Sequence, residues 1–307
     1  MKVYYDLTPS TGDTAVALGN FDGLHLGHQK VIASAVSARA QGFTPTVFTF
    51  AANPLADLGG RSGGEIITRE QKIALLEALG VEQLYIIEFC QVKDLAPEAF
   101  VDWVLTGVCR AREVCCGFNF TFGSGGKATS ETLSELCESR GIKVEIAGAV
   151  LSGGEPVSST RIRGLIAAGE VDEAVKLLGR PYGYCSKIQH GRKLGRELGA
   201  PTLNQAIPGD FVLPRFGVYA SSVYVDGVVY AGVTNVGIKP TVGSPCALAE
   251  TWMPDYRGED LYGRTVRVDL MKFIRPERRF SGLEELKAEI IRNGVQAKEY
   301  FEQNSGR

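Results

Sequence analysis

What most constrains the fold of this chain is a change of rhythm near residue 180. From Thr14 to about residue 150, apolar runs of strand length alternate with amphipathic helical patterns. Thr14–Leu18 (TAVAL), Thr44–Phe50, Gln83–Phe89, Glu113–Gly117 and Lys143–Ala147 are predicted strands. Gly27–Ala40, Glu70–Leu79, Glu98–Val108 and Ser130–Arg140 are predicted helices between them. Such β-α alternation implies a Rossmann-like parallel sheet with helices on both faces. Two more helices follow, Ser158–Ala168 and Val171–Leu178, the first opened by Ser-Ser-Thr, a strong N-cap signal. Past LLGRPYGY the alternation stops. Between Tyr184 and Ile274 short β-rich runs are punctuated by Gly, Pro and Asp-Gly. Gly217–Val225, Asp226-Gly227 and Val228–Val233 read as a hairpin, Thr265–Phe273 as a further strand, and Leu283–Phe301 as a closing helix. The second half is therefore expected to be a small antiparallel β-barrel with a C-terminal helix. The boundary falls near Arg180–Cys185, dividing the 307 residues into domains 1–182 and 183–307.

Charge and composition narrow the function. A formal net charge of -2 argues against nucleic-acid binding through bulk positive charge. No run approaches the ~20 apolar residues of a membrane span, and MKVYYDLTPSTGD lacks the apolar core of a signal peptide. The expectation is a cytoplasmic protein, monomeric or weakly self-associating. Seven cysteines, never spaced as C-x-x-C, suit small buried thiols better than a disulfide or metal framework. Gly is in excess, 37 of 307, which suggests tight turns and close backbone approach to a ligand.

Two segments carry phosphate chemistry. In Val16-Ala-Leu-Gly-Asn-Phe-Asp-Gly-Leu-His-Leu-Gly-His28 a strand ends, a glycine turn follows, and His25 and His28 fall in the first turn of a helix. Free backbone N–H groups and the helix dipole favour anions there, and Gly27 leaves room for phosphate oxygens. The chain has three histidines, and two stand here at i, i+3, on one helix face. A zinc pair is the competing chemistry, without a matching ligand set. The second segment, His190-Gly-Arg-Lys-Leu-Gly-Arg-Glu-Leu-Gly-Ala-Pro-Thr-Leu-Asn204, interleaves glycines with cations. That suits a backbone cradle for phosphate or a plain glycine turn; it is not a Walker A loop.

GNFDGLHLGHQ resembles the H-x-G-H motif of the nucleotidyltransferase superfamily, in the form of bacterial bifunctional riboflavin kinase/FAD synthetases. Gly117-Phe-Asn-Phe-Thr-Phe-Gly123 resembles that family's G-x-N-F-x-F-G loop, Val157-Ser-Ser-Thr-Arg-Ile-Arg163 its S-S-T-x-x-R motif, and LLGRPY its exit from the first domain. The resemblance implies an α/β nucleotidyltransferase domain followed by a β-barrel riboflavin kinase domain. His25, His28 and Arg163 would be catalytic, with Gly19, Phe21, Gly27, Asn119, Ser159 and Thr160 around the ATP phosphates. Taken alone, Ser159 reads equally as an N-cap, Arg163 as a surface cation and Asn119 as a turn residue. One departure stands out: Ala51-Ala52-Asn53-Pro54 replaces the family's Pro-His-Pro.

The second segment resembles the G-x-x-x-G-R-x-L-G-x-P-T-x-N motif of riboflavin kinases. It implies ATP contacts at Gly191, Lys193, Gly195, Arg196 and Gly199, and Mg²⁺ at Thr202 and Asn204, oxygen donors suited to a hard cation. The match continues through Leu213–Tyr219, Gly232–Thr241, Ala249-Glu-Thr251, Asp260–Gly263 and Ile274–Phe280. Glu250 corresponds to the catalytic base, whose bland alternative is a solvent-facing strand carboxylate. Arg275 and Glu277 are expected to form an ion pair shaping the flavin pocket, and His190 to be a loop residue. The resemblance thus implies riboflavin, FMN, FAD and ATP as substrates and products, with Mg²⁺. An enzyme with only the kinase activity is the alternative, because of Ala52-Asn53, and a catalytically silent flavin-binding protein is a third reading.

Overall fold

The computed structural model describes residues 1–52, 54, 63–191, 199–239 and 246–304. The chain forms two compact units, Met1–Ser159 and Thr160–Arg307.

The first unit is built on six parallel strands: β1 (Lys2–Tyr4), β2 (Thr14–Leu18), β3 (Thr44–Phe50), β4 (Gln83–Ile87), β5 (Ala111–Gly117) and, after two short two-residue strands β6 (Thr121–Phe122) and β7 (Ala128–Thr129), β8 (Lys143–Ala147). Their order is β1-β4-β3-β2-β5-β8. All five residues of β2 and of β4 are buried, the continuous apolar run of a strand covered on both faces. Helix α1 (Leu26–Ser37) packs on β2, β3 and β5. Alternate residues of these strands (Val16, Leu18, Phe48, Val114 and Cys116) join a core with Leu133 and Cys137 of α4 (Ser130–Glu138) and Phe100, Val104 and Leu105. Those last three belong to α3, which begins at Pro97–Ala99 and continues as a π-helix over Phe100–Val108, closed by Cys109 N–H donating to Val104 O at 2.8 Å. Helix α2 (Arg69–Ala78) starts at a capping box, Thr68 and Gln71 each receiving the other's backbone N–H.

Strand β1 is an addition to the sequence expectation. Three residues are too few to show a period, and β1 is defined by its neighbour: Lys2 N–H donates to Glu82 O, and Tyr4 stacks on Tyr85 with centroids 4.6 Å apart. The cysteine expectation is corrected in part. Cys109, Cys115, Cys116 and Cys137 are buried, but Cys90 and Cys185 are exposed.

After β9 (Leu151–Ser152) and β10 (Glu155–Pro156), a small hairpin, come α5 (Ser159–Ala168) and α6 (Val171–Leu178). A closed barrel follows: β11 (Tyr182–Gln189), β12 (Thr202–Ala206), β13 (Gly217–Val225), β14 (Val228–Lys239), β15 (Cys246–Trp252) and β16 (Thr265–Arg275), in the order β11-β12-β15-β14-β13-β16. Among the described residues its strands pair antiparallel throughout. The β13–β14 hairpin turns at Asp226 (φ 51°) and Gly227 (φ 79°), the two left-handed residues of a type I′ turn. The barrel interior is partly polar: Thr234 Oγ1 donates to Ser221 Oγ at 2.8 Å and lies 2.9 Å from Thr251 Oγ1, all three buried. Helix α7 (Leu283–Asn304) packs on β13 and β14 through Ala297, against Val218, Ala220 and Val233. No described helix is long and apolar enough to cross a membrane.

Candidate active sites

In the first unit the strand order reverses between β2 and its neighbour β5: β3 and β4 lie on one side of β2, and β5 and β8 on the other. Open α/β sheets bind ligands in the crevice at the carboxyl ends of the strands flanking such a reversal. Both expected phosphate loops of this unit are there. The loop after β2 carries His25 and His28, and the loop after β5 carries Asn119.

The β2 loop is a sequence of left-handed residues: Phe21 (φ 51°), Gly23 (φ 77°) and Leu24 (φ 41°). Two of the three are not glycine, a conformation that persists only where the surroundings over-determine it. They do. Asn20 O accepts from Thr49 Oγ1 at 2.9 Å and from Lys72 Nζ at 3.1 Å. Asp22 Oδ1 accepts from Ile66 N–H, and Asp22 O from Ser159 Oγ, both at 2.9 Å.

His25 then caps α1. Its Nδ1 accepts the His28 N–H at 3.2 Å, which places the neutral ring's proton on Nε2. The two imidazoles stack with centroids 3.6 Å apart and planes 17° from parallel. Phe21 meets the His28 ring edge-on at 5.3 Å. A Cβ at Gly27 would sit 3.1 Å from the His25 ring, so this glycine makes room for the imidazole. Gly19 likewise faces Phe21, whose ring would lie 3.0 Å from a Cβ there. Phe21, expected at the ATP phosphates, is 1% exposed; its side chain supports His28 and is not offered to solvent. Asn119 is exposed at the tip of a tight turn closed by Phe120 N–H on Gly117 O at 3.0 Å. Ser159 is the first residue of α5, and its hydroxyl ties down Asp22. Thr160 is exposed and Arg163 half-buried on the same helix, in the second unit.

In the second unit, strand register assembles the site. Glu250 on β15 is directly opposite Asn204 on β12 and Asn235 on β14, and residues directly opposite in an antiparallel pair share a face. Thr234 and Thr251 turn inward, so Asn204, Glu250 and Asn235 form a row on the outer face of the barrel wall. Thr202 belongs to that face of β12, two residues from Asn204, whose Nδ2 donates to Thr202 O at 3.3 Å. Gly191 lies against Asn204: a Cβ there would fall 2.5 Å from Nδ2 and 2.6 Å from Oδ1. Gly199 is left-handed, φ 77°. Lys193, Gly195 and Arg196 lie outside the described residues. A cavity of about 140 Å³ opens beside Thr202, lined by Pro201, Met253, Tyr256, Leu261 and Tyr262 among others. His190, expected as a loop residue, is exposed just past β11 with its ring 4.1 Å from that of Tyr262.

The expected Arg275–Glu277 ion pair is replaced by another. Arg275 Nε donates to Asn293 Oδ1 at 3.0 Å and pairs with Glu289 Oε1 at 3.1 Å, both on α7. Glu289 is buried and also binds Arg278 at 2.9 Å and Arg292 at 3.0 Å. The helix, carrying a buried carboxylate, outcompetes a neighbour two residues away whose side chain is exposed. Glu277 instead accepts from Asn235 Nδ2 at 3.4 Å and fills the space over Gly237. Asn235 and Lys72 were given no role from sequence. A register partner is invisible before strands are paired, but Lys72 left a trace: it shares the buried face of α2 with Leu76, one turn away.

Two family models divide the chain between them, FAD synthetase over residues 7–161 and riboflavin kinase over 178–301. A bifunctional riboflavin kinase/FMN adenylyltransferase of Bacillus subtilis (strain 168) is 36% identical, covering 94% of this chain and 92% of its own. This chain belongs to that family. The enzyme of the same name from Escherichia coli (strain K12) is 32% identical over 93% of this chain and 92% of its own. A crystal structure from Streptococcus pneumoniae, titled as a macrolide-efflux protein, superposes with a TM-score of 0.86 at 29% identity, covering 99% of both chains. The family's two halves correspond to the two sites: the histidine loop falls in the FAD synthetase segment, and the Asn204–Glu250–Asn235 row in the riboflavin kinase segment.

Proposed function

We propose that this protein makes FAD in two steps, phosphorylating riboflavin to FMN and then adenylylating FMN. The observation that carries the reading is the presence in one chain of both segments, FAD synthetase and riboflavin kinase. The same observation favours it over a kinase with a silent first domain. The first activity belongs to residues 183–307 and the second to 1–182. That division is supported by the matched segments and by the barrel's first strand starting at Tyr182, although α6 packs on β11 and β16.

In the kinase step Glu250 accepts the proton of the riboflavin 5′-hydroxyl, whose oxygen attacks the γ-phosphorus of ATP and releases ADP. Thr202 and Asn204 would hold Mg²⁺: both offer oxygen donors, and the missing side chain at Gly191 leaves a cradle over Asn204. The ion supplies charge neutralisation on the ATP phosphates. Glu277, oriented by Asn235, and the segment fixed through Arg275 and Glu289 bound the flavin. The cavity beside Thr202 suits the nucleotide, with Gly191 and Gly199 near its phosphates; Lys193, Gly195 and Arg196 are assigned to ATP by the sequence resemblance alone.

In the second step an FMN phosphate oxygen attacks the α-phosphorus of ATP and pyrophosphate leaves. The reaction needs no protein nucleophile, so catalysis is positioning and charge stabilisation. His25, donating from Nε2, and His28 hold the ATP phosphates at the start of α1, with Asn119 contributing a further donor and Ser159 holding the loop through Asp22. A cytoplasmic enzyme fits the free thiols. The test is incubation of the purified chain with riboflavin, ATP and Mg²⁺ and chromatography of the flavins. FAD accumulating through FMN is the expected outcome; product stopping at FMN, even when FMN is supplied, would favour the kinase-only alternative.

A further inference from the structure

Lys72 is the one lysine or arginine that is buried among the described residues, at 7% exposure. A buried ammonium is costly unless its partners require it. Its partner is a main-chain carbonyl, Asn20 O, at the entrance to the left-handed loop, reached from fifty-two residues away. Burial pulls the Lys72 ammonium below its ordinary range, while Asp22 and Glu65 favour its charge. The cation therefore meets the loop twice, by hydrogen bond at Asn20 and by charge at Asp22. Thr49 Oγ1 supplies a second donor to the same carbonyl. The loop's other end is fixed by Gln29 Nε2 on Leu24 O at 2.9 Å. Between these anchors run the strained residues Phe21 and Leu24 with the left-handed Gly23, and after them His25 and His28.

We propose that Lys72 is a positioning residue for FMN adenylylation: its ammonium fixes the Asn20–Leu24 turn in the left-handed course that sets the His25–His28 stack at the head of α1. Its hydrogen bond is to the main chain and not to either histidine, so it acts through the backbone. The inference rests on the assignment of adenylylation to the histidine loop. It predicts that removing the charge slows the chemical step without weakening flavin binding, because a small misplacement of pre-organised groups is felt in the transition state.

The test is made on the full-length chain. Lys72→Met removes the ammonium at similar volume, and Thr49→Val removes the other donor to Asn20 O. The rate of FMN-to-FAD conversion, the KM for FMN, riboflavin phosphorylation in the same preparation, and amide exchange over residues 14–28 are measured. The expected result for Lys72→Met is a fall in adenylylation kcat of about 10- to 100-fold, the kinetic size of one lost charge-assisted hydrogen bond. The KM for FMN stays within twofold and phosphorylation is unchanged. Exchange quickens in 20–28 while 14–18 stays protected. A folded Lys72→Met with wild-type kcat overturns the inference, as does a rise in KM with kcat unchanged. Should Lys72→Met not fold, Thr49→Val decides: a several-fold drop in kcat with unchanged KM upholds it, and wild-type kcat overturns it. His25→Ala separates the two readings. Full FAD synthesis in that variant would defeat the site assignment itself, whereas an inactive His25→Ala beside a fully active Lys72→Met defeats only the role of Lys72.

Discussion

Replacing Gly191 with alanine tests the kinase site at one atom. The added Cβ would stand 2.5 Å from Asn204 Nδ2 and 2.6 Å from its Cγ and Oδ1, where ordinary contact begins at 3.4 Å. Something must yield by about 0.9 Å, the difference between those figures. Asn204 cannot yield through its backbone, which pairs with Gln189 on one side and Glu250 on the other. The side chain is 8% exposed, so it has little open space to swing into. The Gly191 backbone and the Asn204 side chain must therefore move apart by close to an ångström, and a misplacement of that size between the phosphate cradle and the proposed Mg²⁺ ligand costs about 100-fold, or roughly 2.7 kcal/mol of barrier. The accompanying overpacking should lower stability by about 1–3 kcal/mol. The assay follows FMN formation from riboflavin at saturating ATP over a Mg²⁺ titration, with FMN-to-FAD conversion as the internal control. Expected are a hundredfold loss of phosphorylation, a raised Mg²⁺ requirement and unchanged adenylylation. Wild-type phosphorylation at the same Mg²⁺ midpoint would refute the placement of Asn204 at the metal.

Burial holds the Cys137 thiol at about 11 and the Cys116 thiol at about 12, so both stay protonated in the fold while the unfolded chain ionises them from about 9. Stability from this source is complete below pH 9 and falls as pH rises toward 11, by about 1.4 kcal/mol per pH unit for each thiol; urea midpoints that do not move between pH 8 and 10 would contradict it. In the native protein Cys90 and Cys185 should react with a thiol reagent while Cys109, Cys115, Cys116 and Cys137 wait for unfolding, and early labelling of the last four would contradict their burial. Glu289→Ala leaves Arg275 without its carboxylate in a half-buried site and should cost about 3 kcal/mol of stability, read by urea unfolding, together with a higher KM for riboflavin. A loss under 1 kcal/mol with unchanged KM would mean that the charge cluster neither stabilises nor positions anything.

Most strands and helices of the first unit were readable because apolar runs of strand length alternate cleanly with helical patterns, and TAVAL is buried throughout. The hairpin was readable from Asp226-Gly227 between two alternating runs, and both residues do take φ > 0. Less local features were not. Strand β1 exists by pairing with β4, and the π-helical winding of Phe100–Val108 leaves no mark in an apolar pattern that reads simply as helix. Barrel strands β11, β12 and β15 were visible only as β-rich sequence, because their limits are set by partners far along the chain. The site follows the same division. His25, His28, Asn204 and Glu250 stand in motifs, whereas Asn235 enters through register, Lys72 through a tertiary hydrogen bond, and Arg275 finds Glu289 because α7 folds back against β13 and β14.

The central claim is that one chain runs two reactions at two separate sites. Glu250→Ala and His25→Ala, each supplied with ATP, Mg²⁺ and either riboflavin or FMN, test it through the flavins they form. Glu250→Ala should make no FMN from riboflavin yet convert supplied FMN to FAD, and His25→Ala should convert riboflavin to FMN and stop there. Loss of both conversions in either folded variant, or retention of both, would contradict the account.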